Sequence, residues 1–337
     1  MKLGIIGNGE SARSFAGASH HAPGVELVAI AGRSVDRVLP LTEKFGGQAM
    51  TIDQLYTANV DCVAISTPPG LHEEHALPFI KRGIAVLIEK PMALSIDACQ
   101  RINEAASRSG AKVMVTQTHR YNAYGRTARQ IVTDGRFGKV LDIYAYIGMD
   151  YFGPKRVGWQ LETTLSGGGV TFNPFIHAVD FARYVSGSEV KSFTGTIGYH
   201  KAGYDIDSDV RCHMTFENGA TGFVHVDGMG HKPGHEVDVL MEHAAMIIRP
   251  SDKRIEIRIK GRVAEVYGFG ENGLTTPAGI YGHCGYIGHL TEMRDVLAGQ
   301  ADLTSDGISG AVNVMIAQQL LAENPQPAVP AAVAVTA

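Results

Sequence analysis

No apolar run in this sequence approaches the roughly 18 residues that a membrane-spanning helix needs. The first apolar run, at 3–6, ends at a glycine and is too short for the core of a signal peptide. No Cys-x-x-Cys pair occurs. Cys62, Cys99, Cys212 and Cys284 lie far apart, with neither zinc-like spacing nor the density of a disulfide framework. They read as reduced thiols of a cytoplasmic protein, at least three of them core fillers. Charge of one sign is not in excess: 30 Lys and Arg against 34 Asp and Glu give a formal net charge of −4. With no basic stripe and no basic amphipathic face, neither nucleic acid nor a membrane surface is expected as a partner. What is present, 45% apolar and 19% charged residues over 337 positions, is the composition of a globular protein long enough for two domains.

Up to about residue 119, short apolar strands alternate with amphipathic stretches. Strands are expected at 2–6, 26–31, 62–66, 85–88 and 112–116, and helices at 72–81 and 96–108, the second capped by Ser95. This alternation predicts an α/β fold: a doubly wound parallel sheet of Rossmann type over 1–119, with helices on both faces. After a helix near 124–133 the pattern changes. Strand-like runs at 190–197, 210–216, 221–226, 236–240, 245–248, 255–259 and 263–267 follow one another without helices between them. They predict a large, mostly antiparallel sheet. With closing helices near 287–297 and 308–321, residues 120–324 make an α+β domain. The segment 325–337, rich in Ala, Val and Pro, reads as a flexible tail.

Gly7, Gly9 and Ala12 form a Gly-x-Gly-x-x-Ala pattern between the first strand and the helix after it. A tight turn, close backbone approach and the unpaired N–H groups of a helix start suit a pyrophosphate there, with Asn8 and Ser11 in the same loop. In an NAD site the second strand usually ends in Asp or Glu, which holds the ribose 2′-hydroxyl. Here Gly32 takes that place, followed by Arg33, Ser34 and, one turn on, Arg37. A glycine leaves room, and a guanidinium and a hydroxyl favour a 2′-phosphate, so NADP is expected over NAD. The alternative is a pair of solvated arginines.

The run at 85–88 leads into Glu89, Lys90 and Pro91. At the carboxyl end of a parallel strand, this pair of charges faces the ligand crevice. Lys90 can donate to a substrate oxygen, Glu89 can balance its charge or orient a ribose, and the Lys90–Pro91 bond is a candidate for cis. The other reading is an exposed ion pair. Farther on, Asn173 and His177 stand i, i+4 and so share a helical face, with Asp180 three residues beyond. His177 carries protons near neutral pH and, with Lys90, can deliver the proton that carbonyl reduction requires; a structural histidine is the alternative. Arg120 and Tyr121 follow a strand end and are candidates to contact cofactor or substrate. Trp159 either stacks on a ring or packs in the core. Lys155 and Arg156 either read an acidic substrate or sit in water. His225, His231, His235 and His243 fit no metal-ligand spacing, so no metal is expected.

The ordered set GIIGNGESA, STPPGLHEEHA, EKP, THRYN, GGGVTFNPFIHAVD and TSDG spans nearly the whole chain, to about residue 324. It resembles the Gfo/Idh/MocA family of nicotinamide-dependent oxidoreductases. The resemblance implies an N-terminal Rossmann domain and a substrate domain whose open sheet often forms the oligomer interface, hence a homo-oligomer. It implies a substrate-binding and proton-transferring role for Lys90. It sets Ser66, Thr67, Pro68 and His72 along the cofactor, although His72 reads equally as a residue packed on its own helix. The family usually has Asp-x-Gly-x-His where this chain has Asn173, Phe175 and His177. Asparagine can orient the imidazole by a hydrogen bond but adds no negative charge, so His177 should be a weaker base. Trp159 matches the family's Trp-Arg pair, and Gln160 does not. The activity so implied is an NADP(H)-dependent oxidoreductase acting on a hydroxyl or carbonyl of a small polar molecule, a sugar or polyol derivative. A dihydrodiol or hemiacetal dehydrogenase is one alternative. A non-catalytic NADP(H)-binding sensor or regulatory protein, kept open by Asn173, is another.

Overall fold

The structure, a computed structural model, describes residues 1–156, 158–269 and 284–326. The apolar runs of the first third pair into one sheet. Strands β1 (Lys2–Ile6), β2 (Glu26–Gly32), β3 (Gln48–Thr51), β4 (Cys62–Ile65), β5 (Ala85–Glu89) and β6 (Val113–Thr116) lie parallel, in the order β3-β2-β1-β4-β5-β6. β4 and β5 are buried at every position, as strands covered by helices on both faces must be. β3 carries no apolar signal: it is four residues at the sheet edge, and none of them is buried. Ser95 accepts a hydrogen bond from the Ala98 N–H and so starts helix Ile96–Ser109, as its position predicts. The strand order reverses between β1 and β4, which opens a crevice at their carboxyl ends.

The second sheet contains β7 (Val140–Asp150), β8 (Val190–Gly198), β9 (Asp209–Phe216), β10 (Thr221–Asp227), β11 (Met229–Met241), β12 (Ala245–Arg249), β13 (Arg254–Ile259) and β14 (Arg262–Gly268). Their order is β14-β13-β12-β11-β7-β10-β9-β8. Every neighbouring pair is antiparallel except β7 and β10. One face, with Ile143, Val239, Ile248 and Ile257, is buried in the same core as helices Ala123–Thr133 and Pro174–Ser186. The other face leaves Leu240 and Val266 exposed, alongside the half-buried Tyr144 and Phe223. This is the alternation expected of a sheet with one wet side.

The two closing helices, Cys284–Leu297 and Gly307–Glu323, return to the first sheet. Leu290 and Met293 complete the core on one of its faces, with Leu3, Ile5 and Phe15. Val314 and Ala317 complete the other, with Ile88 and Val115, while Ile316 and Leu320 of the same helix reach the second core. Cys62, Cys99 and Cys212 are buried free thiols; the side chain of Cys284 lies outside the described residues. So does the expected tail at 325–337 from position 327 onward. Among the described residues no helix is long and apolar enough to cross a membrane.

Candidate active site

A cleft of about 1050 Å³ follows the carboxyl ends of the first sheet and is closed by residues of the second domain. At one end lie Gly7, Asn8, Gly9, Ser11, Gly32, Arg33 and Arg37. Gly7 has φ 130°, and a Cβ there would sit 2.5 Å from the Ser66 carbonyl oxygen, so only glycine lets the β1 and β4 loops touch. Gly9 starts helix Glu10–Ser19 without a side-chain cap, and a Cβ there would meet nothing within 4 Å. The helix therefore offers free N–H groups to an open space. Ala12 is buried in the core beneath, where its small size serves helix packing and not the cleft. A Cβ at Gly32 would come 2.9 Å from Val38 Cγ1, so a side chain there would require Val38 to shift. Arg33 and Arg37 are exposed and have no carboxylate partner among the described residues; Ser34, also exposed, lies beside them but does not line the cleft. Asn8 Nδ2 donates to the Arg37 carbonyl at 3.3 Å and ties the two loops together. Ser66, Thr67 and Pro68 line the middle of the cleft.

Glu89 and Lys90 stand at the end of β5, and the Lys90–Pro91 bond is cis. Glu89 is buried, its Oε1 has no hydrogen-bond partner, and burial raises its pKa. Lys90 Nζ donates to Asn173 Oδ1 at 2.6 Å and, at 3.3 Å, to the Asn173 carbonyl. Burial pushes the Lys90 ammonium down to about 8; Glu89 opposes that shift and Arg156 adds to it. Asn173 Nδ2 in turn faces the Tyr151 hydroxyl at 3.5 Å.

This arrangement corrects the pairing of Asn173 with His177. Asn173 is the N-cap of helix Pro174–Ser186, with φ −118° and ψ −86°, so its side chain leaves the helical face that His177 occupies. No hydrogen bond joins the two, and His177 Nδ1 is buried without a partner. Asn173 orients Lys90 instead. Asp180 does not serve His177 either: it pairs with Arg120.

His177 lines the cleft, and Nε2 is the nitrogen through which it meets the open space. Its ring stacks on His119 at 4.8 Å between centroids and an interplanar angle of 7°. The His119 ring also lies 4.9 Å from the ring of His235, at 38° to it. Burial, with Lys90 and the neighbouring rings, holds the His177 pKa well below the ordinary imidazole value; burial and His235 do the same to His119. His235 is pushed down to about 4 by burial. The stack is neutral near pH 7. Among the described residues no group of three His, Cys, Asp or Glu side chains is arranged to hold a metal ion.

Several predicted site residues fall elsewhere. His72 is fully buried away from the cleft, between the carbonyls of Thr67 (2.8 Å from Nε2) and Pro91 (3.0 Å from Nδ1), and burial lowers it to about 4. A neutral ring has one N–H and so donates to only one of these carbonyls; His75, which bonds Thr67 Oγ1 at 3.0 Å, lines the cleft in its place. Arg120 points away from the cleft, to Asp180 at 2.6 and 2.8 Å and to the Thr304 carbonyl. Tyr121 is buried and donates to Glu292 at 2.7 Å. Both fasten the closing helices, and neither touches the site. Trp159, Lys155, Arg156 and Gln160 do line it. The Gly-rich approach to Asn173 is explained by Asp207, which accepts from the N–H groups of Gly169 and Thr171 and from the Thr171 hydroxyl. A Cβ at Gly169 would collide with the Asp207 carbonyl at 1.9 Å. Tyr286, from the penultimate helix, and Tyr151, at the end of the β7 strand, complete the lining. Their sequence surroundings carry no motif.

Residues 1–117 match the family described as oxidoreductase family, NAD-binding Rossmann fold, and residues 126–247 match the GFO/IDH/MocA C-terminal domain. A 1,5-anhydro-D-fructose reductase of Ensifer adhaerens is 30% identical over 231 residues, 66% of this chain and 68% of that protein. A 1-carboxy-3-chloro-3,4-dihydroxycyclohexa-1,5-diene dehydrogenase of Comamonas testosteroni is 31% identical over 179 residues, 53% of this chain; the match spans 45% of that relative's length. A levoglucosan dehydrogenase solved with NADH and levoglucosan superposes with a TM-score of 0.87 over 96% of both chains, at 18% identity, and shares the fold.

Proposed function

The chain belongs to the Gfo/Idh/MocA oxidoreductases, and from that membership we propose that it interconverts a hydroxyl and a carbonyl on a small hydroxylated ring with NADP(H). The observation that carries this reading is Lys90: a partly desolvated ammonium, aimed by a neutral amide, in the same cleft as the glycine loop. The cleft fits a dinucleotide. Gly7 and Gly9 leave a cradle that a Cβ would strain or fill, and the Ser66 hydroxyl and Glu89 Oε1 are buried polar atoms without partners. When bound, a nicotinamide cofactor supplies the hydride acceptor or donor. The relatives' names, a dihydroxycyclohexadiene dehydrogenase and an anhydrofructose reductase, support a hydroxylated ring as substrate.

Lys90 moves the proton. As an ammonium it donates from Nζ to a carbonyl oxygen that is being reduced; as an amine it accepts the hydroxyl proton in oxidation. Asn173 holds Nζ without the opposing charge that an aspartate would bring, and this keeps the pKa low. His177, neutral, fixes the reacting oxygen through Nε2. The signs follow. Oxidation should rise with pH through about 8, and reduction should fall through the same value. The test is kcat/KM in both directions across about pH 6–10, a window spanning that value. A limb near 6.5 in both directions, or none, defeats the assignment of the proton to Lys90.

The cofactor preference rests on Arg33 and Arg37 lining the cleft with no ion-pair partner among the described residues, although Asp36 adjoins Arg37 in the chain. A charge-assisted contact to a 2′-phosphate is worth about 1.5–3 kcal/mol, so NADPH should bind about ten- to a hundredfold more tightly than NADH. Arg33→Ala should remove most of that difference. Equal dissociation constants for the two cofactors, measured by nicotinamide fluorescence on the unaltered protein, would refute it.

A further inference from the structure

Lys90, Lys155 and Arg156 all line the cleft. Arg156 is near enough to Lys90 to depress its pKa. Among the described residues no carboxylate lies within ion-pair distance of any of the three. The other acids in the lining, Glu10 and Glu74, sit on helices of the first domain, and Glu89 is buried behind Lys90.

Arg156 is held in place by groups that do not neutralise it. Its guanidinium lies 4.2 Å over the Tyr151 ring, and Nη2 approaches the Met149 sulfur at 3.1 Å. Tyr151 is fully buried and reaches Asn173, which aims Lys90. The guanidinium and the reacting ammonium are therefore set on one framework, and the first depresses the second. Glu89 offsets part of the charge on Lys90 but none of that on Arg156, and like charges that act on each other cost free energy unless an anion joins them. A guanidinium whose stem is fixed by an aromatic face offers a planar fork that suits a carboxylate or phosphate oxyanion.

We infer that Arg156, with Lys155, is an oxyanion subsite, and that the ring oxidised or reduced at Lys90 carries an acidic substituent, a carboxylate or a phosphate monoester. This rests on the function proposed above, since it names the substrate class of the same site. A substrate bound in this way brings its negative charge to Arg156 and its hydroxyl to Nζ, while Trp159 offers a flat face to the ring.

Trp159 is the sole tryptophan of the sequence and reports on this cleft by fluorescence. The full chain, saturated with NADP⁺ so that the pyrophosphate site is filled, is titrated at low salt with three ring probes: cyclohexanecarboxylate, cyclohexyl phosphate and the neutral cyclohexanecarboxamide. At least one anion should bind about tenfold or more tightly than the amide, the worth of a charge-assisted contact. The tighter of the two identifies the acidic group. Arg156→Gln should bring the anions within about twofold of the amide, with the amide itself little changed, and Arg156→Lys should restore part of the difference. Hydride transfer is followed separately at 340 nm on neutral and acidic hydroxylated rings. Its absence counts against the function and not against the anion subsite, which the binding ratios test alone. Equal binding of the three probes, no response to any, or an anion advantage that survives Arg156→Gln overturns the inference.

Discussion

Lys90→Ala is expected to lower turnover by at least about a hundredfold, the lower range for a lost general acid or base. The side chain has one hydrogen-bonding neighbour, Asn173, and lines the cleft, so in the proposed role what disappears is a proton carrier and not a packing element. Cofactor affinity should change far less, because the glycine loop and the Arg33 end of the cleft are untouched. Lys90→Arg should rescue little: it restores charge, but a guanidinium does not release a proton in this pH range. The measurement is kcat and cofactor Kd on the three proteins, with circular dichroism to check folding. Wild-type kcat in Lys90→Ala would mean that the charge at the end of β5 is structural.

The second large effect is on stability. Arg120→Met should destabilise the fold by about 3–5 kcal/mol, the cost of leaving a buried charge without its partner. Arg120 and Asp180 are 7% and 1% exposed, and their two contacts are at 2.6 and 2.8 Å. Asp180 keeps Asn313 at 2.9 Å and the more distant Arg183, which places the loss near the lower end of that range. Denaturant unfolding measures it. The KM values of the protein that remains folded should be unaltered, since Arg120 does not reach the cleft. Full stability with a raised KM would return Arg120 to the substrate.

Arg120 also shows where sequence reasoning stops. His119 and Arg120 are consecutive, and both lie within a motif that the sequence displays. One ring stacks on His177, and the other side chain turns to a carboxylate 60 residues on. Local spacing reveals elements but not which way each side chain faces across them. The strands of the first sheet, the glycine loop and the Glu89–Lys90 turn were legible because each is a short-range pattern: an apolar run, a small-residue spacing, a strand end. β3 was not, having four residues and no buried position. The Asn173–His177 spacing misled because it assumed a helix through both, whereas Pro174 marks the first helical position and puts Asn173 outside. Tyr286 meets the site from a distant segment, and His235 reaches the His119 ring behind it; no local signal announces either.

The return of the last two helices to the first sheet bears on how the protein is made. When a ribosome has released residues 1–119, all six strands of that sheet exist, but the side chains that seal its two faces do not. Leu290 and Met293 are still to come for one face, and Val314 and Ala317 for the other. The nascent nucleotide-binding half therefore waits, with apolar surface uncovered, until nearly the whole chain has been synthesised. It is in this interval that a chaperone would find it and that misassembly competes with folding. The contacts that end the wait join segments far apart in the sequence, and such long-range closures are the slower class of folding event.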